Sequence, residues 1–121
     1  MLLTLLKAKL HGATVTEARL DYEGSLTIDR TLMDLVGILP WEKILVANMQ
    51  NGNRFETYAI PGTAGAGTIC LNGATAHLGK KGEKLIVFTF CQLTDAEAQT
   101  HHPLVMRLDP QNRPEKPPAR V

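Results

Sequence analysis

The chain contains a single serine, and it follows a glycine, in Tyr22-Glu23-Gly24-Ser25. A hydroxyl one residue past a glycine can attack the glycine's own carbonyl, because no Cβ crowds that side. Attack by Ser25 on Gly24 would turn the peptide bond into an ester. β-Elimination would then release the Gly24 carboxylate, and hydrolysis of the dehydroalanine left behind would give a ketone and ammonia. Ser25 would thus serve as nucleophile and as leaving group, and the chain would divide into residues 1–24 and 25–121. A Gly-Ser pair alone proves nothing, so its weight depends on the residues able to serve it. Lys9 and Arg54 are cations on strand-like runs. Tyr58 offers a phenol, a group that keeps its proton at neutral pH and can donate it. Taken singly, Lys9 and Arg54 read as snorkelling surface side chains and Tyr58 as a half-buried strand tyrosine with its hydroxyl in water; together they are less easily set aside.

Other chemistries find less support. Gly62-Thr63-Ala64-Gly65-Ala66-Gly67 lacks the lysine of a phosphate loop and leads into a strand, so it reads as a flexible connector. His101-His102 has no metal-ligand spacing to another His or Cys and reads as a solvated pair, and His77 has no evident partner. Cys70 and Cys91 lie in apolar runs and read as small buried hydrophobes. Trp41, after Pro40, reads as packing. Ser25 with His11 and Asp21 or Asp29 would make a hydrolase triad, but Leu26 and Thr27 follow the serine where a nucleophile elbow needs a glycine two residues on.

The elements that must position these groups are mostly short strands. Leu2 to Val15 alternates loosely, with Lys7, Lys9 and His11 on one face and aliphatic residues on the other. Ser25–Ile28 is strand-like, and 29–37 reads as a short helix with Asp29 as N-cap and Gly37 as stop. Lys43–Gln50 and Arg54–Ile60 flank Asn51-Gly52, a strong hairpin signal. Thr68–Leu71, Lys84–Leu93 and Leu104–Leu108 read as further strands, Asn72-Gly73-Ala74 as a turn, and Thr94-Asp95-Ala96-Glu97 has capping-box spacing. Such a pattern predicts one mainly β domain over 1–111, a small barrel with short helices, and a frayed, proline-rich tail over 112–121. The 44% apolar content is that of a globular chain. A formal net charge of +1 and 5% aromatic residues give no footprint for nucleic acid, and no stretch is long enough to span a membrane. A soluble cytoplasmic protein is the expectation.

Lys9-Leu10-His11, Tyr22-Glu23-Gly24-Ser25, Ile28-Asp29, Gly37-Ile38-Leu39, Asn51-Gly52, Arg54-Phe55, Thr57-Tyr58-Ala59-Ile60 and Asn72-Gly73-Ala74 stand in order along the chain. In these motifs and their intervals, from about Leu3 to Asp109, the chain resembles the pyruvoyl-dependent aspartate decarboxylase family. The resemblance implies a double-psi β-barrel and a homotetramer with active sites between subunits. It implies self-cleavage between Gly24 and Ser25, leaving Ser25 as a covalent pyruvoyl group that forms a Schiff base with L-aspartate. The product would be β-alanine for pantothenate biosynthesis, with neither metal nor pyridoxal phosphate. Tyr58 would be the proton donor, and Thr57 the oxyanion donor during processing. Lys9, Arg54, Thr57, Gly73, Ala74 and Thr75 would bind substrate, with His11 and Asn72 in support. Thr75 stands where many members have alanine, and Asp21 and Ala47 replace bulkier residues. An activating maturation protein remains an open alternative to unaided cleavage. The competing reading from another class is a small-barrel interaction module without catalysis, since one fold serves many functions.

Overall fold

A computed structural model describes all 121 residues. The chain forms strands β1 (Leu2–Thr14), β2 (Glu17–Arg19), β3 (Ser25–Asp29), β4 (Lys43–Asn48), β5 (Arg54–Gly62), β6 (Ile69–Asn72), β7 (Lys84–Thr94), β8 (Leu104–Arg107) and β9 (Ala119–Arg120), with helices α1 (Arg30–Val36) and α2 (Asp95–Ala98). The strands pair in the order β2-β6-β3-β5-β4-β7-β1-β8-β9. Seven of them, from β6 to β8 in that order, would span roughly 30 Å if laid flat. Yet each contributes to one contiguous core of 19 residues, among them Leu10, Leu26, Val46, Ala59, Leu71, Val87 and Met106. The sheet must therefore curl around its own apolar face. β1 runs almost directly into β2, and the junction is tied by Thr16 N–H donating to Ile69 O and Val15 N–H to Glu83 O. The protein is mainly β with short helices, which fits the small barrel expected.

Local signals account for much of this. Asp29 Oδ1 accepts from Thr31 N–H at 2.8 Å and so caps α1, which ends at Gly37 with φ +75°. The hairpin turns through Asn51-Gly52, pairing Val46 with Phe55. Thr94 and Glu97 form a reciprocal capping box on α2. The Gly62–Gly67 connector is anchored: Asp29 also accepts from Gly65 N–H at 2.9 Å and Gly67 N–H at 2.8 Å. His101 is partly buried, with Nε2 2.6 Å from Leu6 O, where a solvated side chain was expected.

The tail differs from expectation. Residues 112–121 fold back on the domain, with β9 pairing β8 through Leu104–Arg120 and Val105–Ala119. Asn112, buried and at φ +59°, accepts from Thr14 N–H at 2.7 Å and donates to Thr14 O and Gly67 O, both at 2.8 Å. One polar side chain thus satisfies backbone groups that no strand reaches, which local composition does not reveal. Replacing Asn112 by Ala strands these groups and is expected to cost roughly 2 kcal/mol. Chemical denaturation would show it, and an unchanged midpoint would mean that the clamp contributes nothing.

Candidate active site

Ser25 begins β3 and is 1% exposed, directly after the exposed Gly24. β6 runs antiparallel beside it with Ser25 opposite Asn72. Asn72 Nδ2 donates to Ser25 Oγ at 3.0 Å and to Thr27 Oγ1 at 2.9 Å, while Ser25 Oγ donates to Glu23 O at 3.4 Å. The nucleophile is therefore held in a fixed rotamer. Thr75, in the 3₁₀ turn over Gly73–His77, donates to Asn72 O at 2.8 Å and approaches Ser25 O at 3.3 Å. Its hydroxyl is thus engaged with backbone carbonyls of both β3 and β6.

Gly73 supplies the close approach. Its φ is +64°, and a Cβ there would stand 2.6 Å from Tyr22 O and 2.7 Å from Gly24 N. Only a residue without a side chain lets the turn press on the segment entering the Gly24–Ser25 bond. By contrast a Cβ on Gly24 would meet nothing within 4 Å, so that side of the residue is open. A polar cleft of about 290 Å³ opens alongside, lined by Tyr22, Thr27, Cys70 and Asn72 among others.

On the other side, β3 pairs in parallel with β5, with Leu26 beside Ala59. Thr57 and Tyr58 precede Ala59 on β5, and Gly24 and Ser25 precede Leu26. Neither Thr57 nor Tyr58 is hydrogen-bonded to Ser25, and the Tyr58 ring instead lies 5.8 Å from Trp41, which is 71% exposed. Ala74 is exposed at the start of the 3₁₀ turn.

Lys9 and Arg54 form a second group. Both lie over the Phe88 ring, Lys9 Nζ at 5.8 Å and Arg54 Cζ at 5.6 Å from its centroid. Arg54 stands four residues before Tyr58 on β5, roughly 13 Å along the strand, so the cations do not flank Ser25 of their own chain. His11 belongs with them. Burial, then the positive charges of Arg107 and Lys9, push its pKa below the usual histidine value, and its Nδ1 is buried without a partner. The structure thus assembles Ser25, Asn72, Gly73 and Thr75 tightly, keeps Thr57 and Tyr58 on the neighbouring strand β5, and gathers Lys9, His11 and Arg54 elsewhere. No triad forms, because His11 is not at Ser25.

The site is a backbone junction at which the one serine hydroxyl of the chain is held by Asn72. Over residues 1–115 it matches the aspartate decarboxylase family, and the chain belongs to that family. Its relatives include proteins named aspartate 1-decarboxylase. That of Leptospira biflexa is 51% identical over 117 residues, covering 96% of this chain and 99% of the relative. That of Salinibacter ruber is 53% identical over 110 residues, covering 91% and 75%. That of Caldicellulosiruptor saccharolyticus is 53% identical over 113 residues, covering 93% and 88%.

Proposed function

We propose that this protein cuts itself between Gly24 and Ser25 and then decarboxylates L-aspartate to β-alanine and carbon dioxide, a carboxy-lyase reaction that supplies pantothenate biosynthesis in the cytoplasm. The observation that carries this reading is Ser25 Oγ, pinned by Asn72 directly after Gly24, in a chain of the aspartate decarboxylase family. In the first step the Oγ–C bond to Gly24 forms, the Gly24–Ser25 C–N bond breaks, and the hydroxyl proton passes to the freed amine. The tetrahedral oxyanion needs a fixed donor, a contribution of about 3 kcal/mol. Thr57, on the strand that pairs with β3, takes that role in this reading. Ser25 then loses its Cα proton to solvent, the Cβ–Oγ bond breaks, and Oγ leaves with Gly24 as a carboxylate. One water converts the remaining enamine to the ketone of a pyruvoyl group and releases ammonia.

The residues present fit such a group: the Gly73 turn packs where any Cβ would collide, and the Thr75 hydroxyl reaches the Ser25 carbonyl. The pyruvoyl group supplies an electron sink for the pair left by departing carbon dioxide. Arg54 binds one substrate carboxylate as a planar fork and Lys9 holds the other as a point charge. Because this pair lies away from Ser25 of its own chain, the reading includes a homotetramer in which one protomer's cations serve its neighbour's Ser25. Exposed Trp41 and Phe90, 71% and 44% accessible, are surface such an assembly would cover. Tyr58 delivers the proton to the carbon that lost carbon dioxide.

Intact mass of the purified protein, paired with carbon dioxide release from L-aspartate, tests this reading. Two fragments, the larger with a blocked N-terminus, and release of carbon dioxide are expected. A single full-length species, alone or with a candidate maturation protein, would favour a non-catalytic module. Tyr58→Phe should mature at the normal rate and lose about 100-fold or more in turnover. Full activity in that variant would remove Tyr58 from the chemistry.

A further inference from the structure

Behind the junction lies a polar square whose fourth corner has no role so far. Ser25 and Thr27 are two apart on β3, Asn72 and Cys70 two apart on β6, and the register sets Ser25 opposite Asn72 and Thr27 opposite Cys70. Alternation puts all four side chains on one face. The Asn72 amide sits at the centre, its Nδ2 on Ser25 Oγ and Thr27 Oγ1, its Oδ1 3.2 Å from Cys70 Sγ. An amide is nearly symmetric in shape, so its neighbours decide which end faces Ser25. Thr27 Oγ1 could accept or donate, but Ser25 Oγ already donates to Glu23 O and is left to accept from the amide N–H. That leaves Asn72 Oδ1 facing Cys70, whose S–H is the one donor it meets.

We propose that Cys70 is a positioning residue for self-cleavage: its S–H holds Asn72 Oδ1, so that the Asn72 N–H is turned toward Ser25 Oγ. Burial, reinforced by the Glu17 carboxylate, pushes the Cys70 thiol above its usual pKa, which keeps the needed proton in place. The orientation matters most in the elimination step. There the Cβ–Oγ bond breaks and Oγ takes the electron pair as part of the Gly24 carboxylate. An N–H aimed at Oγ stabilises charge that develops only then, whereas a flipped amide would present a carbonyl oxygen to it and repel it.

The inference rests on the proposed Gly24–Ser25 cleavage, and its experiment separates the two. Wild-type, Cys70→Val and Cys70→Ser chains are expressed, and their division into 1–24 and 25–121 is followed by intact mass with time. Hydroxylamine is added to parallel samples to trap any ester, and circular dichroism and thermal unfolding check the fold. Cys70→Val, similar in volume and without a donor, should fold and divide about tenfold more slowly, with a hydroxylamine-sensitive ester building up. Cys70→Ser restores a donor and should stay within about threefold of wild type. Cys70→Val dividing as fast as wild type overturns the role of Cys70, as does Cys70→Ser being as slow as Cys70→Val. Should Cys70→Val unfold, the Cys70→Ser comparison and the hydroxylamine trap on Cys70→Ala decide: a slow Cys70→Ser, or no ester in Cys70→Ala, overturns it. A wild-type chain that never divides overturns the cleavage reading itself.

Discussion

Ser25→Ala is expected to remain one chain of 121 residues after any length of incubation, and to release no carbon dioxide from L-aspartate. The effect is total because Oγ has two jobs that nothing else in the chain can take over. In the proposed cleavage it forms the ester, and it departs with Gly24. With no other serine in the sequence, no neighbouring residue of the same type can substitute. Loss of the fold is not the cause to expect. Asn72 Nδ2 keeps its bond to Thr27 Oγ1 at 2.9 Å, so removing Oγ leaves the amide partnered at a cost of about 1 kcal/mol. Ser25→Ala should therefore show the circular dichroism of the wild-type precursor. Two related substitutions refine the test. Ser25→Cys can form a thioester, and Ser25→Thr can form the ester but would end as a 2-ketobutyryl group. A Ser25→Ala protein that still separates into two fragments on a denaturing gel would remove the serine from the cleavage chemistry.

How much of this was readable beforehand follows from how local each signal is. Asp29 and Gly37 bracket α1 because capping is decided within a few residues. The Asn51-Gly52 hairpin and the Thr94–Glu97 box were legible for the same reason. β2 was missed because three exposed residues show no alternation, and its pairing with Cys70–Asn72 is set some fifty residues away. The tail was misread because its charged, proline-rich composition hides Asn112, whose partner Thr14 lies 98 residues back. The site divides the same way. Gly24-Ser25 is a local chemical statement and could be read directly. That Asn72 holds Ser25 depends on a register spanning 47 residues. Cys70, read as a small buried hydrophobe, is indeed buried, but composition cannot distinguish a thiol facing leucines from one facing an amide. The two-residue spacing of Cys70 and Asn72 on a strand was the available signal. The grouping of Lys9 with Arg54 over Phe88 joins three separate strands, and no single stretch encodes it.

Gly73→Ala is expected to slow division of the chain by about 100-fold or more, although Gly73 supplies no reactive group. A methyl there would sit 2.6 Å from Tyr22 O, 2.7 Å from Gly24 N and 2.8 Å from Gly24 Cα, all of them backbone atoms of the segment to be cut. Backbone cannot swing aside as a long side chain does, so either the turn or the junction must move. Displacing the junction by even half an ångström takes the Gly24 carbonyl out of line with an Oγ held by Asn72, and alignment of this kind is what intramolecular attack depends on. A second effect runs in parallel, because φ at +64° strains any L side chain by roughly 1–2 kcal/mol. Gly52→Ala separates the two. Gly52 has φ +77° and open space where its Cβ would stand, so it carries the strain without the collision. Gly52→Ala should lower the melting temperature by a few degrees and divide at the wild-type rate. Gly73→Ala should show a similar loss of stability together with the failure to divide, seen by intact mass over days. If Gly73→Ala matured as quickly as Gly52→Ala, the approach of the 3₁₀ turn to Gly24 would have no part in presenting the scissile bond.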